Sequence, residues 1–225
     1  MSSSIVLNGQ VGLLPPRQLL AEAGAVFNVT NPTPGTAIAY ANKTSYSATA
    51  NGLFTISNNN SSGGKSIIID ELMLLQTATA PANTLVARFE VFDESGIVAL
   101  SGSAAARTPV NVNSNFTNST GAVVTSFAAG AGTVPAAVGT RRLIDVIALN
   151  CGVSVIHDQW RIAFGSDGIA SSGLTAARAT ASAAVVAAAA PVIIAPQHSV
   201  IINSWTLTGD TNVPSYEFSL RYFEL

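Results

Sequence analysis

The sequence predicts an all-β fold, an antiparallel β-sandwich of jelly-roll type with an extended N-terminal arm. Three observations carry that expectation. Short runs rich in Val, Ile, Phe, Tyr and Trp recur along the chain, and clusters of Gly, Pro, Asn and Ser separate them as turns separate strands. Two of these runs alternate with period two. Leu85, Ala87, Phe89 and Val91 fall on one face with Arg88 and Glu90 on the other, and Tyr216, Phe218, Leu220 and Tyr222 alternate with Glu217, Ser219 and Arg221. Residues 174–190 are the one stretch with helical composition, and their Thr, Ser and Val suit a small-residue strand equally well. A chain of 225 residues can bury one large core. The predicted division is an arm at 1–36 and a sandwich at 37–225, with a long excursion at 101–140.

In chain order, Ile5 to Leu7 make a short strand, Pro15-Pro16 open a helical turn from Arg17 to Ala23, and Asn31-Pro-Thr-Pro-Gly35 break the chain. Leu13, Leu14, Leu19 and Leu20 on this arm need burial, either over the chain's own sandwich or against a neighbouring subunit. They are the candidate interface residues. Thr36 to Ser57 reads as one or two modest strands. Leu53 to Ile56, a polar turn over Ser57 to Gly64 and a strand from Ser66 to Gln76 form the central unit. Asp70 to Leu75 has fair helical propensity, but the Ile triplet and the lack of a 3.6-residue stripe favour a strand. Ile67, Ile68, Ile69, Leu72, Met73, Leu74 and Leu75 place apolar groups on both pleat faces, so this strand should be covered on both sides.

Asp93 to Gly96 reads as a tight acidic turn with Ile97 to Leu100 as the returning strand. The excursion carries one charge, Arg107, amid Gly, Ala, Asn, Ser, Thr and Val. Strands resume at Arg141 to Leu149, Gln159 to Phe164, the proline-bounded Pro191-Val-Ile-Ile-Ala-Pro196, Ser199 to Thr208 and Tyr216 to Leu225; the last belongs inside a sheet.

Composition narrows the functional classes. Lys plus Arg number 10 against 12 Asp plus Glu, a net charge of -2, which gives no broad attraction to nucleic acid or anionic membrane. Lys43 and Lys65 are the only lysines, and Arg17 is the only base in residues 1–40, unlike the basic arms that neutralise a packaged genome. The mean hydropathy of +0.41 comes from alanine and short Val/Ile runs. The longest apolar tract, 183–195, is broken by Pro191 and is too short for a membrane-spanning helix. No N-terminal charged and apolar signal pattern is visible, so the expectation is a protein made in the cytoplasm. A surface this poor in charge suggests a chain packed against other subunits.

No constellation of catalytic residues emerges. Gly64-Lys65-Ser66 lacks the phosphate loop's upstream glycine, where asparagine stands, and a strand follows in place of a helix. Cys151 is the single cysteine, which excludes an internal disulfide and reads as a buried thiol, with His157 near it only in sequence. Asp93-Glu94 are adjacent carboxylates that a strand would point to opposite sides. His157-Asp158 lacks the further ligands of a zinc site, and His198 is the only other histidine. Asp145, Asp158 and Asp167 are the acids whose convergence in space would make a polysaccharide-cleaving enzyme. Sequons at Asn28, Asn42, Asn115 and Asn118 follow from composition. No cofactor or metal is expected.

Two stretches carry a family resemblance: Ile56-Ser-Asn to Ser62-Gly-Gly-Lys65-Ser-Ile-Ile-Ile, and Ala195-Pro-Gln-His-Ser-Val-Ile-Ile-Asn203-Ser-Trp205 with the aromatic C-terminal strand. About half the chain resembles tailed-bacteriophage virion proteins of the head-decoration or cement kind. That resemblance implies a jelly roll that forms trimers or similar oligomers on the capsid exterior and clamps major capsid subunits. It implies no catalytic motif, and the charge balance and hydropathy above add the expectation of no direct nucleic-acid contact and no membrane. The alternative is a tail-fibre or receptor-binding module, which would need aromatic residues and acids in an exposed groove for sugars.

Overall fold

The computed structural model describes residues 4–7, 10–13, 16–39, 45–78, 86–150, 156–165, 184–206 and 215–225. The elements are β1 (Ser4–Leu7), β2 (Gln10–Leu13), α1 (Pro16–Glu22), β3 (Val26–Thr30), β4 (Ile38–Ala39), β5 (Gly52–Asn58), β6 (Ile67–Ala78), β7 (Val86–Glu94) and β8 (Ser101–Arg107). They continue as β9 (Val110–Asn111), β10 (Ala122–Thr133), β11 (Arg141–Asn150), β12 (Gln159–Phe164), β13 (Ala184–Ala189), β14 (Val192–Ile194), β15 (Ser199–Thr206) and β16 (Ser215–Glu224).

Two sheets pack face to face, so the chain is a β-sandwich. The first runs β11-β7-β15-β5-β10-β8 and is antiparallel throughout. The second runs β13-β12-β6-β16-β3-β9; β14 follows β12 along one side of β6, and β4 lies with β3 along β16. Among the described residues only β12 and β13 pair parallel. Late strands lie between early ones, β15 between β5 and β7 and β16 between β6 and β3, as Greek-key crossovers place them.

The alternation read from sequence explains the core. Phe89 and Val91 of β7, Phe54 and Ile56 of β5, and Leu72, Leu74, Phe218 and Leu220 of the second sheet all face inward and are buried. Phe54 meets Phe127 and Phe218 edge to face, at 5.8 and 5.1 Å between ring centres, the geometry that opposes the ring quadrupoles favourably. Trp160 bridges Phe89 and Tyr216. On β6 the inner residues are buried while Ile68, Met73 and Leu75 on the other face are only half-covered, so the double covering expected of this strand is partial.

Four expectations need correction. The arm does not run to residue 36: β3 is an inner strand between β16 and β9, with Val26, Phe27 and Val29 buried. The breaker at residues 31–35 ends a core strand rather than an arm. Residues 101–140 are no excursion either, because β8 and the twelve-residue β10 are full members of the first sheet. The returning strand expected at 97–100 is absent. Its backbone instead lies across the outer face of the first sheet, caught by hydroxyls: Ser57 Oγ donates to Val98 O at 2.6 Å, and the N–H groups of Val98 and Leu100 donate to Ser199 Oγ and Thr125 Oγ1. Val98, Leu100, Val134 and Ile201 thereby form a second, smaller core. Finally, Asp93 and Glu94 end β7 rather than forming a turn.

Of 174–190, residues 184–189 are strand; 174–183 lie outside the described residues, as do Leu14, Asn42, Lys43, the 80–83 turn, Cys151 and Asp167. The asparagine-rich loop between β9 and β10 has a local task. Asn111 Nδ2 donates to Gly24 O, and Asn113 Nδ2 to Glu22 O and to Ala21 O, which also accepts from the Gly24 N–H, so the loop caps the end of α1. Gly24 holds φ at 70° there, the left-handed conformation that closes a helix.

Candidate functional site

β11 is the edge of the first sheet: it pairs with β7, and no strand among the described residues pairs with its other side. Edge strands are ordinarily protected by charge. Here the charges are paired within the chain. Arg141 Nε donates to Glu94 Oε2 at 2.6 Å, Arg142 donates to Asp93 Oδ2 at 2.7 Å, and Asp145 accepts from the N–H groups of Val146 and Ala190. Beside the exposed Arg142, the strand presents apolar side chains to solvent. Leu143 and Val146 are 52% and 46% exposed, and Ile144, Val138 and Ile193 are exposed beside them. A register shift between Leu143 and Asp145 inserts one residue, which brings Ile144 to the cleft described next.

Between β11 and the segment 190–198 lies an open cleft of about 410 Å³, lined by Asp93, Arg142, Ile144, Pro191, Ile193 and His198. His198 Nδ1 stands 3.7 Å from Asp93 Oδ1, beyond hydrogen-bond length, while Arg142 occupies the other carboxylate oxygen. One ion-paired carboxylate beside one imidazole supplies neither the paired acids of glycoside hydrolysis nor a nucleophile and its base. Among the described residues no three His, Cys, Asp or Glu side chains gather to hold a metal ion.

The outer face of the first sheet holds a second arrangement. Arg88 and Glu90 project from β7 beside Trp205 and Asn203 of β15, their register partners. Trp205 Nε1 donates to Glu90 Oε1 at 3.0 Å, the Arg88 guanidinium lies 5.5 Å from the indole centre, and Tyr46 meets that indole edge-on at 6.2 Å. Burial, and then the neighbouring Glu90 charge, push the Tyr46 phenol above its ordinary pKa. Asn51 Nδ2 donates to Ser45 O and fixes the segment carrying Tyr46.

The second sheet uses its charges to hold α1. Asp70 accepts from Arg17 of the helix and from Arg221 of β16, and Glu71 accepts from Arg161 of β12. Leu19 and Leu20 on α1 are half-buried, Leu13 ends β2, and the helix lies on its own chain's sandwich. Arg107 is drawn inward, donating to Ser126 Oγ and Phe127 O over the Phe218 ring, and burial lowers its pKa from the usual guanidinium value. Lys65 is a turn residue whose carbonyl accepts from Asn58 and Asn60. His157 sits in a turn at positive φ and Asp158 is buried beside it. Sequence reasoning missed the Tyr46, Glu90 and Trp205 cluster, although the placement of Arg88 and Glu90 on the polar face of an alternating strand was a signal for it.

The chain matches no family model, no curated protein and no solved structure.

Proposed function

We propose that this sandwich is a structural virion subunit, a jelly-roll decoration or cement protein that associates with copies of itself, as a trimer or similar ring, and clamps neighbouring shell subunits. The observation that carries the reading is the β11 edge, open on one side among the described residues, whose charges pair within the chain and whose apolar Leu143 and Val146 are exposed. A lone soluble chain has reason to guard such an edge. A subunit gains about 25 cal/mol per Å² of apolar surface by covering it, and repeated contacts on a particle add through avidity. The half-buried Leu19 and Leu20, with Leu13 and Leu14, are the accessory contact on the arm. The chain acts without a catalytic step and without a cofactor.

Native mass by light scattering across a dilution series tests this. A closed oligomer that Leu143→Lys and Val146→Lys convert to monomers, with an unchanged circular-dichroism spectrum, supports it. A monomer at every concentration, or an oligomer indifferent to both substitutions, overturns the assignment of the edge.

A further inference from the structure

The cluster on the outer face of the first sheet carries more than packing. Among the described residues seven buried side-chain polar atoms find no hydrogen-bond partner, and four of them lie here: Asn51 Oδ1, Arg88 Nε, Glu90 Oε2 and Asn203 Oδ1. Glu90 is 9% exposed, and Asn51 and Asn203 are at 0% and 1%. Each such group costs about 1–3 kcal/mol when left unpaired, so four in one place are unmet hydrogen-bonding capacity that a ligand can satisfy. Beside them sits Tyr46, half-exposed and meeting Trp205 edge-on.

We propose that this cluster is a binding site for a neutral pyranose, the terminal hexose of a glycan. The unpaired set has three acceptors and one donor, the complement of a ligand rich in hydroxyl donors. Arg88 and Glu90 cancel in charge, which favours a neutral ligand over an anionic or cationic one. Arg88 already lies over the Trp205 ring and excludes an ammonium group from it. A sugar's apolar C–H face stacks on Tyr46 as that ring swings from its edge-on contact. Vicinal hydroxyls then donate to Glu90 Oε2 and Asn203 Oδ1, and a third oxygen accepts from Arg88 Nε. The site lies on β7 and β15, inside the sheet rather than on its edge, so it does not depend on the assembly reading.

The test is titration of the full-length protein with the methyl pyranosides of glucose, galactose and mannose, followed on the indole N–H signals of its two tryptophans by NMR. Trp160, buried in the core, is the internal reference. The expected result is a saturable shift of the Trp205 signal by at least one glycoside at millimolar concentration, Trp160 unmoved. Loss of one charge-assisted hydrogen bond in Glu90→Gln should weaken binding about tenfold or more. Tyr46→Ala, at an exposed position that leaves the core intact, should do the same. No saturable shift with any of the three up to about 100 mM, where even a weak monosaccharide site fills, overturns the proposal. So does an equal shift with glycerol, or a Trp205 signal that moves with protein concentration and not with sugar, which would assign the cluster to a subunit contact.

Discussion

Asp93 and Glu94 are neighbours on β7 with opposite surroundings, and replacing each by its amide separates buried from exposed ion pairing. Glu94 is fully buried. Its Oε1 accepts from the N–H groups of Val138 and Gly139 at 2.9 Å each and its Oε2 from Arg141 Nε at 2.6 Å, while Arg141 is only 18% exposed. In Glu94→Gln one oxygen still accepts from the two backbone groups, but an amide N–H₂ now faces the guanidinium. A buried cation loses its counter-charge, a change that costs about 3–5 kcal/mol in well-buried pairs. The Arg141 bond to Pro135 O survives and places the expected loss near the lower bound, about 3 kcal/mol. For a chain of this size that is about 6–12 °C in Tm. Asp93 pairs with an Arg142 that is 68% exposed, and Asp93→Asn should cost under about 1 kcal/mol. Urea unfolding followed by tryptophan fluorescence reads both. A Glu94→Gln loss below about 1 kcal/mol, or equal losses for the two variants, would refute the argument that burial rather than pairing sets the value.

Acid sensitivity should trace to Glu224. Desolvation raises its pKa, but hydrogen bonds from Thr120, Asn60 and the Gly121 N–H, with the Lys65 charge, outweigh it and hold the carboxyl below its usual range. A depressed native pKa contributes stability that is present above the unfolded carboxylate pKa and is lost as pH falls through the native value. Stability measured from neutral pH down into that window should therefore fall less steeply in Glu224→Gln, and identical slopes would contradict the assignment. Deleting residues 1–15 should leave a folded sandwich that keeps a β-type circular-dichroism spectrum, since among the described residues β1 and β2 pair only with each other. Deleting 1–36 removes Val26, Phe27 and Val29 from the core, worth about 1.5–3 kcal/mol each, enough to abolish cooperative unfolding. Gly24→Ala forces a left-handed residue into the helix terminus with its Cβ 2.5 Å from the Phe116 ring, and should lower stability by about 1–2 kcal/mol in the same urea assay.

The sequence was readable where one face of a strand is buried and the other wet. Phe89 and Val91, and Tyr216 to Tyr222, alternate because one sheet face meets the core, and both strands lie where that pattern places them. Reading failed where coverage departs from this rule. β3 is short and followed by prolines, so Val26, Phe27 and Val29 resemble a linker until β16 is known to lie beside them. Residues 97–100 are apolar on alternate positions yet pair with hydroxyls instead of a strand, an arrangement visible only once Ser57, Thr125 and Ser199 share a face. The Asp93-Arg142 and Glu90-Trp205 contacts join residues far apart in sequence, and each member alone reads as an ordinary strand residue. Cross-strand register, which turns such residues into a cluster, is a property of the fold and not of any local window.

The position of β16 sets an order of events for the living cell. This strand fills the middle of the second sheet, between β6 and β3, and its Phe218 closes the aromatic cluster against Phe54. Until residues 215–224 leave the ribosome, every earlier strand of that sheet must wait with its inner face open and two long edges unsatisfied. Non-local pairings of this kind form slowly, and half-made sheets are prone to aggregate. Production of the protein should thus depend on chaperone capacity and on slow, cool synthesis more than on the stability of the finished sandwich.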